Sequence, residues 1–168
     1  MFYISDLFIA GFTYLFMNAF ENAIHKASHY KESGQLYSWH KMHHKDYPAK
    51  CLESDTYIDS TGYIDNMFAR YIVVTAGTFY IASSSRTFMI IVAEVSVYSF
   101  MVDYFHQQFH LKKSWLIKYK WFQRIKRNHL LHHIKQETNF SFFSTKMDKL
   151  QNTYLCDSDC LNRVTSNS

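Results

Sequence analysis

Glycine and proline are nearly missing from this chain: four Gly and one Pro among 168 residues. That excludes collagen-like repeats and Gly/Ser linkers, and it leaves no room for a glycine-rich phosphate loop. Three cysteines, Cys51, Cys156 and Cys160, are too few and odd in number for a disulfide framework, and suit thiols in a reducing compartment. Charge is modest as well. Eighteen Lys+Arg against 14 Asp+Glu give a net +4, too little to imply nucleic acid by itself. The length fits a single domain, 1–168, or one domain wrapped around a membrane anchor. What abounds is apolar, aromatic and imidazole: 48% hydrophobic residues, 18% aromatic ones, and ten histidines.

Three apolar stretches alternate with wet, histidine-rich ones. The first, 2–20, carries one charge, Asp6, and as a helix would reach about 28 Å, close to a hydrocarbon core of about 30 Å. It has no basic start and no small-residue cleavage site, so a cleaved signal peptide is a poor reading. The second and third, 67–82 and 87–102, are joined by Ser83-Ser84-Ser85-Arg86 and read as a helical hairpin. Each would span about 24 Å, enough to cross a thinned bilayer or to enter one leaflet and return. The competing reading is a soluble helical core, which the mean hydropathy of −0.25 favours. The fold class expected is all-α, with membrane-embedded helices and a histidine-rich cap formed by 21–66 and 103–155.

Charge placement fits the membrane reading. Of the Lys and Arg outside the apolar stretches, only Arg86, at the hairpin tip, falls outside one side, which the positive-inside rule makes cytoplasmic, with the N-terminus outside. All ten histidines fall on that cytoplasmic side. The stretch Leu111 to Arg127, with Leu111, Trp115, Tyr119 and Phe122 at helical spacing among seven basic residues, reads as a basic amphipathic helix on an anionic membrane surface. Nucleic-acid binding competes weakly, since no recognition module accompanies the patch.

The histidines form four clusters with none left over: His25/His29, His40/His43/His44, His106/His110 and His129/His132/His133. The order is H-x3-H, H-x2-H-H, H-x3-H, H-x2-H-H. In a helix these spacings put imidazoles one turn apart on one face, able to grip a metal ion. Ten ligands are too many for one ion, so two metals are expected, and imidazole suits Zn, Fe, Cu and Ni alike. No H-E-x-x-H occurs, and no carboxylate lies within either H-x2-H-H cluster to act as a hydrolytic base. Glu21, four residues before His25, and Asp103, three before His106, are expected to accept the outer N–H of those imidazoles, against an interfacial pairing with lysine. Glu94, an acid within the third apolar stretch, stays unassigned between a functional role and a bond to an adjacent helix. Cys156 and Cys160 could bind metal or form a disulfide, but fit better a solvated tail.

From Glu21 to Tyr154 the chain resembles the fatty acid hydroxylase / sterol desaturase superfamily of integral-membrane di-iron oxygenases. The resemblance rests on the order of the four histidine motifs, on Glu21 before His25, on Trp39 to Pro48 (WHKMHHKDYP), and on Asn139-Phe140 followed by Asp148-Lys149-Leu150. Ser141, Met147 and Asn152 depart from it, where the family usually has Gly, Trp and Gly. The resemblance implies that His25, His29, His40, His43, His44, His106, His110, His129, His132 and His133 hold two non-haem iron ions, which zinc can replace in purified protein. It implies O2 as oxidant, a membrane lipid (acyl chain, sterol or carotenoid) as substrate, and hydroxylation or desaturation as the reaction. Electrons would come from a separate cytochrome b5-like or ferredoxin-like donor, since no such domain fits in this chain. The membrane would be the endoplasmic reticulum in a eukaryote or the inner membrane in a bacterium, with the active site cytoplasmic. A non-catalytic membrane metal-binding protein is the alternative from another class.

Overall fold

The computed structural model describes residues 3–60, 77 and 84–156. Among them the chain is helical and without strands, with one isolated bridge between Ser54 and Leu111. Two long helices form the frame: α1, Ile4–Ala27, and α2, Gln35–Asp46, is the short one that follows it, while the second long helix is α3, Ser85–Phe109. Both long helices outrun the apolar stretches they were read from. With no proline to stop them, the 24 residues of α1 and 25 of α3 extend into the polar sequence, about 36 and 38 Å in all. That overrun carries Glu21 and His25 on α1, and Asp103 and His106 on α3, beyond the apolar part. The second apolar stretch, 67–82, and with it the hairpin, lies outside the described residues.

The two long helices run parallel. Near their N-terminal ends Arg86 donates to Asp6 and stacks on Tyr3, and toward their C-terminal ends Tyr98 donates to Glu21. Arg86 therefore lies at the end remote from the histidines. Met17, Ile91, Val95, Tyr98 and Val102 fill the seam between them.

The distribution of polarity separates the membrane reading from the soluble one. On α1 the buried residues are Asp6, Thr13, Met17, Asn18, Glu21, Asn22 and His25, all but one polar. Its apolar side chains face outward: Leu7, Phe8, Phe12 and Leu15 are 70, 74, 66 and 61% exposed, and Phe100 on α3 is 69% exposed. A soluble core helix would bury those groups, whereas in lipid they need no cover and the polar atoms do. Both helices are long and apolar enough to cross a membrane.

The cap is built from α2, then α4, Lys120–Ile134, and α5, Lys146–Leu150. A single 3-10 turn, Lys31–Ser33, leads from α1 into α2 through Gly34, whose φ of +62° and ψ of −115° suit glycine.

One expectation is corrected here. Leu111 to Arg127 is not one amphipathic helix. Leu111 bridges to Ser54, a 3-10 turn spans Trp115–Lys118, Tyr119 is extended, and α4 begins only at Lys120. The Ser114 side chain, accepting the Leu116 N–H, starts the short turn and breaks the periodicity. Trp115 and Phe122 consequently part company: Trp115 is exposed and Phe122 is fully buried. Lys126 leaves the solvated face altogether, buried against Glu53 Oε1 at 2.6 Å and the Leu111 carbonyl at 2.7 Å. Trp115, Ile117, Tyr119 and Trp121 remain exposed beside Lys118.

Candidate metal centre

All ten histidines converge at one end of the α1–α3 pair. His25 sits in the last turn of α1 and His29 just beyond it; α2 presents His40, His43 and His44; His106 and His110 end α3; α4 presents His129, His132 and His133. Helical spacing explains each pair, and the convergence of four chain segments makes them one site. Seven are buried, and His29, His40 and His106 are half-buried.

The imidazoles sort into two nests. In the first, one nitrogen each from His43, His106, His110, His129 and His133 lie within 4.8 Å of one another; in the second, nitrogens of His25, His29, His40 and His132 do the same. His44 completes the second nest. Its Nε2 lies 2.9 Å from that of His40 and 3.2 Å from that of His132, and His29 closes a ring with both, at 2.8 Å from His40 and 3.2 Å from His132. The first nest shows like approaches: His43 to His133 at 3.1 Å, His106 to His43 at 2.9 Å, His110 to His129 at 3.0 Å.

These approaches fit an ion better than a hydrogen-bond network. His25, His110, His132 and His133 each point Nδ1 at a backbone carbonyl, of Phe140, Leu52, Thr138 and Tyr47, at 2.5 to 2.8 Å. A carbonyl only accepts, so Nδ1 carries the proton and Nε2 is a bare lone pair. The His132 lone pair nonetheless faces two further nitrogens. Nitrogens bound about 2.1 Å from one ion at right angles would stand about 3.0 Å apart, the separation found. His25 Nε2 is buried with no hydrogen-bond partner, the state of a nitrogen reserved for a cation. Burial also keeps the rings neutral. It lowers His29 and His133 from 6.5 to about 4 and His110 to about 3, and it pushes His40, His43, His129 and His132 well down, helped by neighbouring imidazoles. Neutral imidazole is the ligating form.

The outer partner of His25 differs from the one expected. Glu21 does not bond His25: its Oε2 accepts from the Tyr98 hydroxyl at 2.7 Å and its Oε1 from the Phe142 N–H at 2.8 Å. On a helix the side chain four residues earlier points toward the N-terminus, which puts Glu21 below the imidazole, where the 138–142 loop is the nearer partner. Asp103 accepts from Gln107 Nε2 at 3.1 Å on its own helix, and backbone carbonyls serve the four outer nitrogens named above.

Sequence reasoning missed the group that sets those carbonyls. Asp148, buried on α5, accepts from the Phe140 and Ser141 N–H groups at 2.8 and 3.0 Å, from Thr153 Oγ1 at 2.9 Å and from Asn22 Nδ2 at 3.3 Å. It thereby fixes the loop whose carbonyls orient His25 and His132. Asn139 and Asn152 hold positive φ, +53° and +56°, on either side of it. Asn tolerates that conformation, which accounts for Asn152 where the resembled family carries Gly. Ser141, another departure, accepts from Asn22 at 2.8 Å. Tyr47, also missed, is buried, stacks on His110 with ring centres 3.9 Å apart and gives its carbonyl to His133. Its place three residues after the H-x2-H-H motif was the available signal. Cys51 and Cys156 are exposed and in no disulfide, and Cys160 lies outside the described residues.

One recess adjoins the nests and a second lies along the two long helices. A polar one of about 350 Å³ reaches His29, His40 and His44 past Lys41 and Lys45. An apolar one of about 480 Å³ lies between α1 and α3, with Tyr98 and Phe143 in its wall.

No curated protein and no solved structure is similar enough to the chain to add a relative. The family model described as fatty acid hydroxylase matches residues 10–153. Its members are metal-dependent, membrane-associated oxidoreductases that act on lipids, and the histidine nests and two apolar helices agree with a lipid oxygenase seated in a membrane. Over most of its length, and with its histidines gathered as such an enzyme requires, the chain belongs to the fatty acid hydroxylase family.

Proposed function

We propose that the protein hydroxylates an unactivated C–H bond of a membrane lipid, using O2 and a histidine-bound pair of iron ions. The observation that carries this is the pair of adjacent imidazole nests at the end of two lipid-exposed helices. When bound, the iron pair would supply the activation of O2 and the attack on the C–H bond. His43, His106, His110, His129 and His133 would hold one ion, and His25, His29, His40, His44 and His132 the other. Glu21 and Asp148 position the 138–142 loop, and the carbonyls of Phe140 and Thr138 keep the His25 and His132 protons on Nδ1. The remaining role of the fold is partition. The apolar recess admits lipid from the membrane and sheds water, while the polar recess beside Lys41 and Lys45 gives reductant a route from the aqueous side.

The whole of 1–168 acts in this reading as one domain, its histidine end cytoplasmic, at the endoplasmic reticulum or the bacterial inner membrane. An external cytochrome b5-like or ferredoxin-like protein delivers the electrons. The test supplies oxygen-18 gas to expressing cells and follows lipids by mass spectrometry. Label entering a lipid with the wild-type chain, and not with His129→Ala or His106→Ala, is the expected result. Loss of two hydrogens without label would turn the reading to desaturation. An unchanged lipidome, with metal bound and a competent donor present, would leave a metal-binding protein without this chemistry.

A further inference from the structure

Between Asp103 and Glu137 the chain carries no acidic residue, while seven Lys and Arg fall within 111–127. Acids from elsewhere draw off two of them: Glu53 takes Lys126, and Asp55 takes Lys112 at 3.7 Å. Lys113, Lys118, Lys120 and Arg124 stay exposed. The same stretch leaves Trp115, Ile117, Tyr119 and Trp121 exposed, Trp115 by 58%. Large apolar groups gathered among cations on one surface mark a place of contact. Their position follows from α3. Phe100, on the lipid-facing side of that helix, stacks on Tyr104 one turn later, with ring centres 6.2 Å apart. Tyr104 accepts the Trp115 indole N–H at 2.8 Å, and Trp121 meets Phe105 edge-on at 5.6 Å. The aromatic surface therefore continues the lipid-facing side of α3 without a gap, just past the end of its apolar part.

We propose that this surface anchors the cap to the membrane: its rings enter the headgroup layer, and Lys113, Lys118, Lys120 and Arg124 bind anionic phospholipid there. Indole and phenol rings suit that depth, with an apolar body and one polar group each. Lys118 is part of the same unit, its Nζ 5.5 Å from the Trp115 ring centre and 5.1 Å from that of Tyr119. The break at Ser114 is what permits the arrangement. Phe122 turns inward at the start of α4, while Trp115, Ile117, Tyr119 and Trp121 are left outward on the short turn and its continuation. An acidic protein partner fits less well, because it would have to cover rings that run on into a lipid-facing helix. The anchor also fixes the depth of the metal centre. α4, which carries His129, His132 and His133, starts at Lys120 inside the anchor, and His106 lies only about 3 Å beyond Tyr104 along α3. This inference rests on the membrane placement of α1 and α3, and not on the oxygenase reading.

Tryptophan fluorescence tests the anchor in the full-length protein, without turnover. The protein is placed in nanodiscs of phosphatidylcholine with about one-third phosphatidylserine. In one preparation only the serine lipid carries brominated chains, which quench indole on contact; in the other, an equal amount of the choline lipid does. Trp115→Phe and Trp121→Phe assign the quenched share, with Trp39 as the remainder. Brominated serine lipid should quench Trp115 and Trp121 about two- to fivefold more than the same amount of brominated choline lipid, the enrichment expected beside a few exposed cations. Salt at about 1 M, which screens charges beyond about 3 Å, should remove most of that excess. The double variant Lys118→Glu/Lys120→Glu should lose it at low salt as well. Equal quenching by the two lipids in the wild-type protein overturns the proposal, as does an excess that survives the double variant. Absence of quenching by either lipid also overturns it, leaving the surface to water or to a protein partner. The wild-type comparison decides the matter even where the double variant does not accumulate.

Discussion

At the scale of single residues, the metal centre depends on groups that never reach the ions. Asp148 gathers four donors on two oxygens, and its loss leaves buried N–H groups unmatched, each costing about 1–3 kcal/mol. Asp148→Ala should therefore loosen the loop that orients His25 and His132 and weaken metal retention about ten- to a hundredfold, as changes to outer partners do. Chelator titration followed by elemental analysis reads this against an expected two ions per chain; retention equal to wild type would show that the loop orients nothing. The histidines also set an acid limit. His29 and His133 fall from 6.5 to about 4 on burial, so between those values the unfolded chain binds protons that the folded one refuses. Stability is complete above pH 6.5 and is lost as pH falls toward 4. Thermal melts of metal-free protein should show a flat midpoint above that range and a declining one within it. The metal-loaded protein should share the sign, because protons compete for the same nitrogens.

At the scale of elements, the part of the site easiest to read from sequence was the part set by local periodicity. The four histidine clusters needed only the helical repeat, and each falls on or at the end of a helix. The partition of His44 from His43 into different nests was not legible, because neighbours one residue apart point about 100° from each other around a helix and only the tertiary arrangement says what each one meets. The carbonyl partners were hidden for a related reason: a backbone oxygen has no residue letter, so Phe140 and Thr138 carried no signal. The expected helix over Leu111 to Arg127 failed because the apolar spacing of Leu111, Trp115, Tyr119 and Phe122 imitates one face while Ser114 terminates it. One turn residue carries a sharp prediction. Gly34→Ala meets no atom within 4 Å, so its cost is purely conformational, about 1–3 kcal/mol. Because His40 and His44 ride on α2 directly after this turn, the second nest should release its ion before the first. Stepwise chelation would show that order, and simultaneous release would refute it.

At the scale of the whole molecule, the parallel pairing of α1 with α3 puts Arg86 at one end and every histidine at the other. With the basic side cytoplasmic, an impermeant maleimide added to sealed cells should label Ser84→Cys and spare Lys45→Cys, in a background where Cys51, Cys156 and Cys160 are serine. Labelling at position 45 would invert the orientation. The inward polar stripe of α1 also bears on how the chain is made. Asp6, Glu21 and Asn22 are shielded chiefly by partners that follow much later in the chain: Arg86, Tyr98, Ser141 and Gln151. During synthesis α1 thus leaves the ribosome well before its cover exists. A nascent chain halted ahead of α3 would present those groups to lipid bare, a form suited to capture by insertion machinery or to destruction by membrane proteases, and the helix becomes a stable resident of the bilayer only when its later partner arrives.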